Sequence, residues 1–200
     1  CNINPYETFI SLNCTSPTPF SAFGKFSDKF LLCASPERLL QKEGDTIVSQ
    51  PIKGTAPKGE SIEDDFRLKN ELQNNQKERS ENVMIVDLVR NDLSRIAQRA
   101  SVKVDELCGV YPFKQVHQMI STISCKQKPN VNFIDIVKAT FPMGSMTGAP
   151  KIRAMQLIEQ YERSKRGLFS GTVGYISPLG DFDFNVVIRS LQYNRIKKYL

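Results

Sequence analysis

Two hundred residues, 40% hydrophobic and 24% charged, suffice for one domain with a buried core and describe an ordinary globular chain. The net charge of +6 arises from lysines and arginines dispersed among acids, without aromatic-interleaved basic runs, helix-turn-helix or RNP patterns, which argues against nucleic acid. No apolar run approaches the length of a membrane span and no stretch resembles a signal peptide.

In chain order, Glu7 to Leu12 alternates like a strand and is followed by a Ser16-Pro17-Thr18-Pro19 loop. Phe20 to Phe26 alternates again, and Lys29 to Ala34 is a nearly continuous apolar run, as in a buried strand. Ser35-Pro36-Glu37 interrupts it, because the proline pushes Ser35 into an extended conformation. Arg38 to Lys42 and Asp45 to Ile52 read as two strands around a Glu43-Gly44-Asp45 turn. From Ile62 the pattern becomes helical, with Phe66, Leu68 and Leu72 amid charges. A second helix spans Glu78 to Ala97, its apolar positions Val83, Met84, Leu88 and Val89, with the boundary near Asn74-Asn75. Val102 to Leu107 and Phe113 to Ser124 are strands, and Asn132 caps a short helix reaching Ala139. Gly171 to Ile176, a Pro178-Leu179-Gly180 turn and Phe182 to Leu191 form a hairpin. Strands at both ends with helices between them define an α+β chain. The five cysteines are odd in number and lack CxxC spacing, so they read as reduced, mostly buried thiols of a cytoplasmic protein; with one histidine, zinc is not expected.

Between the last helix and the hairpin lies Thr140 to Met155, a loop with Gly144, Ser145, Thr147 and Gly148 that leads through Pro150 into a helix. Proline suits the first helical position, and Ala154, Leu157, Ile158 and Tyr161 follow as an apolar stripe. Lys151 and Arg153 stand where the helix dipole is already positive, which predicts an anion site. The glycine and lysine spacing is not that of a P-loop.

The block from Phe141-Pro142 through Lys151-Ile152-Arg153-Ala154-Met155 resembles the signature of the chorismate-utilising enzymes, the family of anthranilate synthase and aminodeoxychorismate synthase component I. Further blocks match in the same order over nearly the whole chain. The resemblance implies a sandwich of two antiparallel β-sheets with helices on the outside and the site at one mouth. It also implies that residues 1–200 form a chorismate-binding catalytic domain lacking an N-terminal region, a C-terminal glycine-rich strand and a metal-binding helix.

Several site residues follow. Lys53, in Pro51-Ile52-Lys53-Gly54-Thr55, ends a strand beside Ile52 and Gly54, where partial desolvation would free a neutral amine; an ordinary surface lysine is the plainer reading. In the family, a lysine here marks the aminodeoxychorismate synthase branch, whereas relatives that aminate C2 or hydroxylate the ring usually carry alanine. The role implied is nucleophilic, with Thr55 beside it binding substrate. Glu78 and Glu81 share one helical face and could be half of a magnesium site or merely a charged face. The resemblance makes Glu81 a Mg²⁺ ligand and Glu78 a ligand acting through water, with Asp87, Arg90, Asn91 and Asp92 fixing the helix end. A histidine in an alternating strand is more often a satisfied structural residue; the resemblance gives His117 the task of polarising or protonating the departing hydroxyl. Glu37 is implied to lie near the site as a general acid or pairing partner. Arg189 is implied as the substrate-carboxylate clamp, on the closing strand, helped by N–H groups around Gly171 and by Ser145 and Thr147. Phe169 stands where several relatives have tyrosine.

The implied reaction converts chorismate and ammonia to 4-amino-4-deoxychorismate, on the route to p-aminobenzoate and folate, with ammonia delivered by a glutamine amidotransferase subunit. Anthranilate synthase component I is the nearest alternative, and a non-catalytic anion-binding or interaction module derived from the family is another.

Overall fold

The structure is a computed structural model that describes residues 2–198. It is α+β, built on two antiparallel sheets. The smaller has the order β1 (Phe20–Phe26), β2 (Lys29–Ser35), β10 (Ser190–Asn194). The larger contains β3 (Arg38–Glu43), β4 (Thr46–Gln50), β5 (Ile52–Pro57), β6 (Lys103–Pro112), β7 (Val116–Lys126), β8 (Gly174–Ile176) and β9 (Phe182–Asn185). Its path runs β5-β7-β4-β3-β9-β8. The long β7 pairs with β6 on one edge and shares the other between β5 and β4. The helices are α1 (Pro5–Thr15), α2 (Ile62–Asn74), α3 (Gln76–Ser94), α4 (Phe133–Thr140), α5 (Gly144–Thr147) and α6 (Lys151–Tyr161).

Helix α3 is the hinge between sheet and site. Asn75 ends α2 and caps α3, its side chain accepting from the Glu78 N–H, so the expected boundary falls where the sequence places it. Ile85, Val86, Val89 and Leu93 pack with Ile47 and Ile123 of the large sheet and Ile136 of α4 in the main core. Each such side chain contributes about 1.5–3 kcal/mol on burial. Of the four apolar positions expected on this helix, only Val89 is buried; Val83 and Met84 are 39% and 42% exposed. The helix is apolar on more than one side, and the sheet takes the side that the 3.6-residue period brings to Ile85, Val89 and Leu93.

Other expectations are corrected. Residues 7–12 are helical: Asn4 accepts from the N–H groups of Tyr6 and Glu7 and Pro5 opens α1, so Phe9 and Leu12 lie three apart on one face against Phe30, Leu32 and Tyr193. The predicted strand from Asp45 to Ile52 breaks at Pro51 into β4 and β5. A tight hairpin does join β8 and β9, but the chain leaves the large sheet at Asn185 and crosses to the small sheet, where β10 pairs with β2. Arg189 lies in this crossing, just before β10, with φ of 49°. Four cysteines are described and free, with Cys33, Cys108 and Cys125 buried and Cys14 exposed; Cys1 is outside the described residues. No described helix is long and apolar enough to cross a membrane.

The glycine loop docks on α3. A Cβ on Gly144 would stand 2.6 Å from Leu88 Cδ2, so the bare Cα lets the loop approach without displacing the Leu88 side chain. Pro150 sits one residue earlier than expected, as the cap before Lys151, after a cis peptide bond. Lys151 does not await an anion. Its Nζ lies 2.5 Å from Asp92 Oδ2 on α3 and donates to the Thr140 carbonyl at 3.3 Å. The pair is 15% and 5% exposed, and burial, outweighing the pull of Lys151, raises the Asp92 pKa above its ordinary value. The stripe after it is only half-buried at Ala154, Leu157 and Ile158, and Tyr161 is exposed.

Removing one member of a buried pair strands the other charge. Lys151→Met is therefore expected to cost about 3 kcal/mol in urea unfolding, and Lys151→Met with Asp92→Leu to recover most of it. Equal losses in the single and double variants would contradict the pairing.

Candidate active site

The site is built where β5, β7, the Ser35-Pro36-Glu37 turn and the glycine loop converge. Glu37 is 4% exposed. Its N–H donates to Ser35 Oγ at 3.2 Å, and its carbonyl accepts from Val186, so the backbone is pinned on both sides. Burial pushes its carboxyl up from 4.5 to about 7. Ser145, the Ile52 N–H and the charges of Lys53 and Arg189 pull the other way without overcoming it. The Ser145 hydroxyl is near enough to favour the carboxylate yet makes no hydrogen bond of regular geometry, and it is buried without a partner.

Lys53 stands on a bulge. Gly54 has φ of 104°, and a Cβ there would lie 3.1 Å from Met119 Cβ and 3.4 Å from Glu78 Oε2. Glycine thus lets α3 press against β5 and brings its acidic first turns alongside Lys53. Lys53 Nζ is 3.7 Å from Glu81 Oε2, with the two side chains 36% and 38% exposed, so the expected desolvation of the lysine is not found. Asn82, buried on α3, fastens the arrangement. Its Nδ2 donates to the carbonyls of Lys53 (3.2 Å) and Met119 (3.4 Å), while its Oδ1 accepts from Ser121 Oγ at 2.5 Å.

Strand β7 separates two expectations. Thr55 is the cross-strand partner of Gln118, and Ala56 that of His117. With its amide oxygen turned to the guanidinium, Gln118 accepts from Arg189 Nη2 at 2.8 Å and Nη1 at 3.1 Å. Successive strand residues face opposite sides. His117 consequently points the other way, toward α2, where its Nε2 meets Asp65 Oδ1 at 2.8 Å. It is 1% exposed and its Nδ1 has no partner. Asp65 also accepts from the Gly59 N–H (3.0 Å) and Lys58 Nζ (3.2 Å). These contacts, the Gly59 N–H first, hold Asp65 down to about 2. The structure brings Glu37, Lys53, Ser145 and Arg189 together, with Thr55 on the same strand and Glu78 and Glu81 at the edge. It does not bring His117 to them.

The remaining expectations fare unevenly. The Gly171 N–H is not free for a ligand, since it donates to the Leu168 carbonyl at 3.0 Å. Thr147 Oγ1 donates to the Met143 carbonyl at 3.1 Å, closing its own helical turn. Arg90 pairs with Asp87 at 2.8 Å on the solvent side, which leaves the packing role at this helix end to Asp92. Phe169 lies under the Arg166 guanidinium, 5.9 Å from the ring centre. Among the described residues no three His, Cys, Asp or Glu side chains are grouped to hold a metal ion. Glu78 and Glu81 present hard oxygen donors one helical turn apart, which fits a cation such as Mg²⁺ that takes one or two carboxylates and completes its shell with water and substrate.

The family model of the chorismate binding enzymes matches residues 1–200, and the chain belongs to that family. It is 38% identical over 190 residues to the aminodeoxychorismate synthase component 1 of Bacillus subtilis (strain 168), covering 95% of this chain and 40% of that protein. It is 41% identical over 189 residues to an anthranilate synthase component 1 of Haloarcula marismortui, covering 94% and 35%. The crystal structure of anthranilate synthase component I from Streptococcus pneumoniae TIGR4 superposes with a TM-score of 0.87 at 35% identity, over 96% of this chain and 42% of that one. The chain thus spans about 40% of the length of these relatives.

A carboxyl whose pKa rises on folding stabilises the protein fully below its unfolded value and loses that contribution as pH climbs through the folded value. For Glu37 the window is pH 4.5 to about 7. Comparing wild type with Glu37→Gln by urea titration, the wild type should lose roughly 3 kcal/mol relative to the variant across that window. A constant difference would contradict the burial-raised carboxyl.

Proposed function

We propose that the chain is the chorismate-handling part of an aminodeoxychorismate synthase component 1, which converts chorismate and ammonia to 4-amino-4-deoxychorismate for p-aminobenzoate and folate synthesis. The observation that carries this reading is Lys53 in the same cluster as Glu37, an amine whose charge reaches a carboxyl that burial lets keep its proton toward neutrality. Ammonia would come from a glutamine amidotransferase subunit, consistent with the component numbering of the relatives.

The chemistry proceeds as two displacements. In its deprotonated form the Lys53 amine forms a bond to ring C2, the two ring double bonds shift, and the C4–O bond breaks, with Glu37 giving its proton so that water departs. Ammonia then bonds to C4, the double bonds shift back, and Lys53 leaves C2 as a neutral amine. The surplus proton on the new amino group returns to Glu37. Arg189 binds a substrate carboxylate through paired N–H donors. Glu78 and Glu81 would hold Mg²⁺, which when bound supplies positive charge to a substrate carboxylate.

Anthranilate synthase is the second reading, supported by the similarity to proteins of that name. The test is product identification: the full-length protein is given chorismate, Mg²⁺ and ammonium at high pH, and products are separated with mass detection. Aminodeoxychorismate is expected; anthranilate or its 2-amino precursor would overturn the proposal. Lys53→Ala is expected to lose turnover and any covalent adduct with chorismate, and full turnover by this variant would exclude the nucleophile. Glu37→Gln should lower kcat by about 10²-fold with KM changed far less.

A further inference from the structure

We infer that Gln118 is the residue that aims Arg189, holding its guanidinium in place while leaving its charge free for a substrate carboxylate. The inference rests on Arg189 as the carboxylate-binding group proposed above and deepens that reading. Arg189 leaves the crossing between the two sheets with a left-handed backbone, and its own side chain is exposed. Nothing in such a position orients a long side chain by packing. Gln118 is wholly buried in the middle of β7 and contributes one oxygen that accepts from both terminal nitrogens, at 2.8 and 3.1 Å. A single acceptor bridging two nitrogens fixes the plane of the fork.

The chemical type of the acceptor matters as much as its position. Among the described residues Arg189 has no carboxylate within 4.0 Å, although Glu37 feels its charge. A neutral amide satisfies two of the five guanidinium N–H groups and neutralises nothing, so three donors and the full charge remain. A carboxylate at the same point would pair with the arginine and compete with any anionic ligand. Chorismate carries two carboxylates, and Glu37, held near pH 7 by burial, is the neighbouring acid least able to compete for the guanidinium in its place. Gln118 is therefore a positioning residue, acting on binding through Arg189.

The experiment measures direct chorismate binding and the rate of chorismate consumption, on the full-length protein, for Gln118→Met, Gln118→Glu, Arg189→Ala and the Gln118→Met/Arg189→Ala double variant. Gln118→Met is expected to weaken binding and raise KM about tenfold while kcat stays within about threefold. In the Arg189→Ala background the same change should add nothing. Gln118→Glu preserves size, so it reports even where the methionine variant fails to fold, and its binding should fall at least as far as that of Gln118→Met. Unchanged affinity in Gln118→Glu, or losses from Gln118 and Arg189 that simply add, would overturn the inference. Consumption is followed whichever product forms, so a wrong product overturns the aminodeoxychorismate reading while leaving the Gln118 result standing.

Discussion

The structure depends on a carboxyl group kept out of water. Glu37 is pinned by Ser35 and Val186 at the point where the chain passes from the small sheet to the large one, and its side chain has almost no solvent. A carboxylate in that position would need several strong donors to ionise at ordinary pH. It has the Ile52 N–H, an imperfectly placed Ser145 hydroxyl and two cations that reach it only through space, and these are insufficient. Poor solvation of the anion is thus what lets the carboxyl keep its proton toward neutrality. The surrounding elements are arranged to maintain this. The glycine loop brings Ser145 over the carboxyl and is itself anchored by Lys151 on Asp92, while Asn82 fixes the backbone that carries Lys53.

The same packing explains how α3 serves the core and also presents an acidic edge to the candidate site. Its later turns bury Ile85, Val89 and Leu93 against the sheet, and its first turns carry Glu78 and Glu81 to the exposed edge beside β5. The bulge at Gly54 is the joint between these uses, because its left-handed backbone disfavours any side chain and a Cβ there would crowd Met119 of β7 while touching Glu78 of α3. Position and rigidity of the acidic face are therefore set by hydrophobic burial several turns further along.

Much of this was legible in the sequence where local chemistry and long-range packing agree. Asn132 before a short apolar run marked a cap and Asn75 a helix boundary, while Lys53, Glu37 and Arg189, singled out by the family resemblance, converge in space. Misreadings arose where one local signal outweighed another. Residues 7–12 alternate, but the Asn4-Pro5 start is a stronger helix signal than six residues of alternation are a strand signal. In β7 the residue pattern alone favoured a satisfied structural histidine and the family resemblance gave it a catalytic task, yet strand alternation sends His117 to Asp65 and its neighbour Gln118 to Arg189. Only the pairing of Gln118 with Thr55 reveals which of the two faces the site. Asn82 and the Asp65–His117 contact were not legible, since Asn82 acts on residues 29 or more positions away and His117 lies 52 positions from Asp65. Lys151 looked like an anion ligand because its counter-charge lies 59 positions earlier.

The measurement that tests the central claim most directly is a ¹³C NMR titration of the glutamate carboxyl groups, with Glu37 assigned by its disappearance in Glu37→Gln. One carboxyl is expected to titrate near pH 7, well above the others, in the protein without substrate. A Glu37 resonance that titrates in the ordinary range near 4.5 would contradict this, and with it the proposed use of this carboxyl as a proton donor.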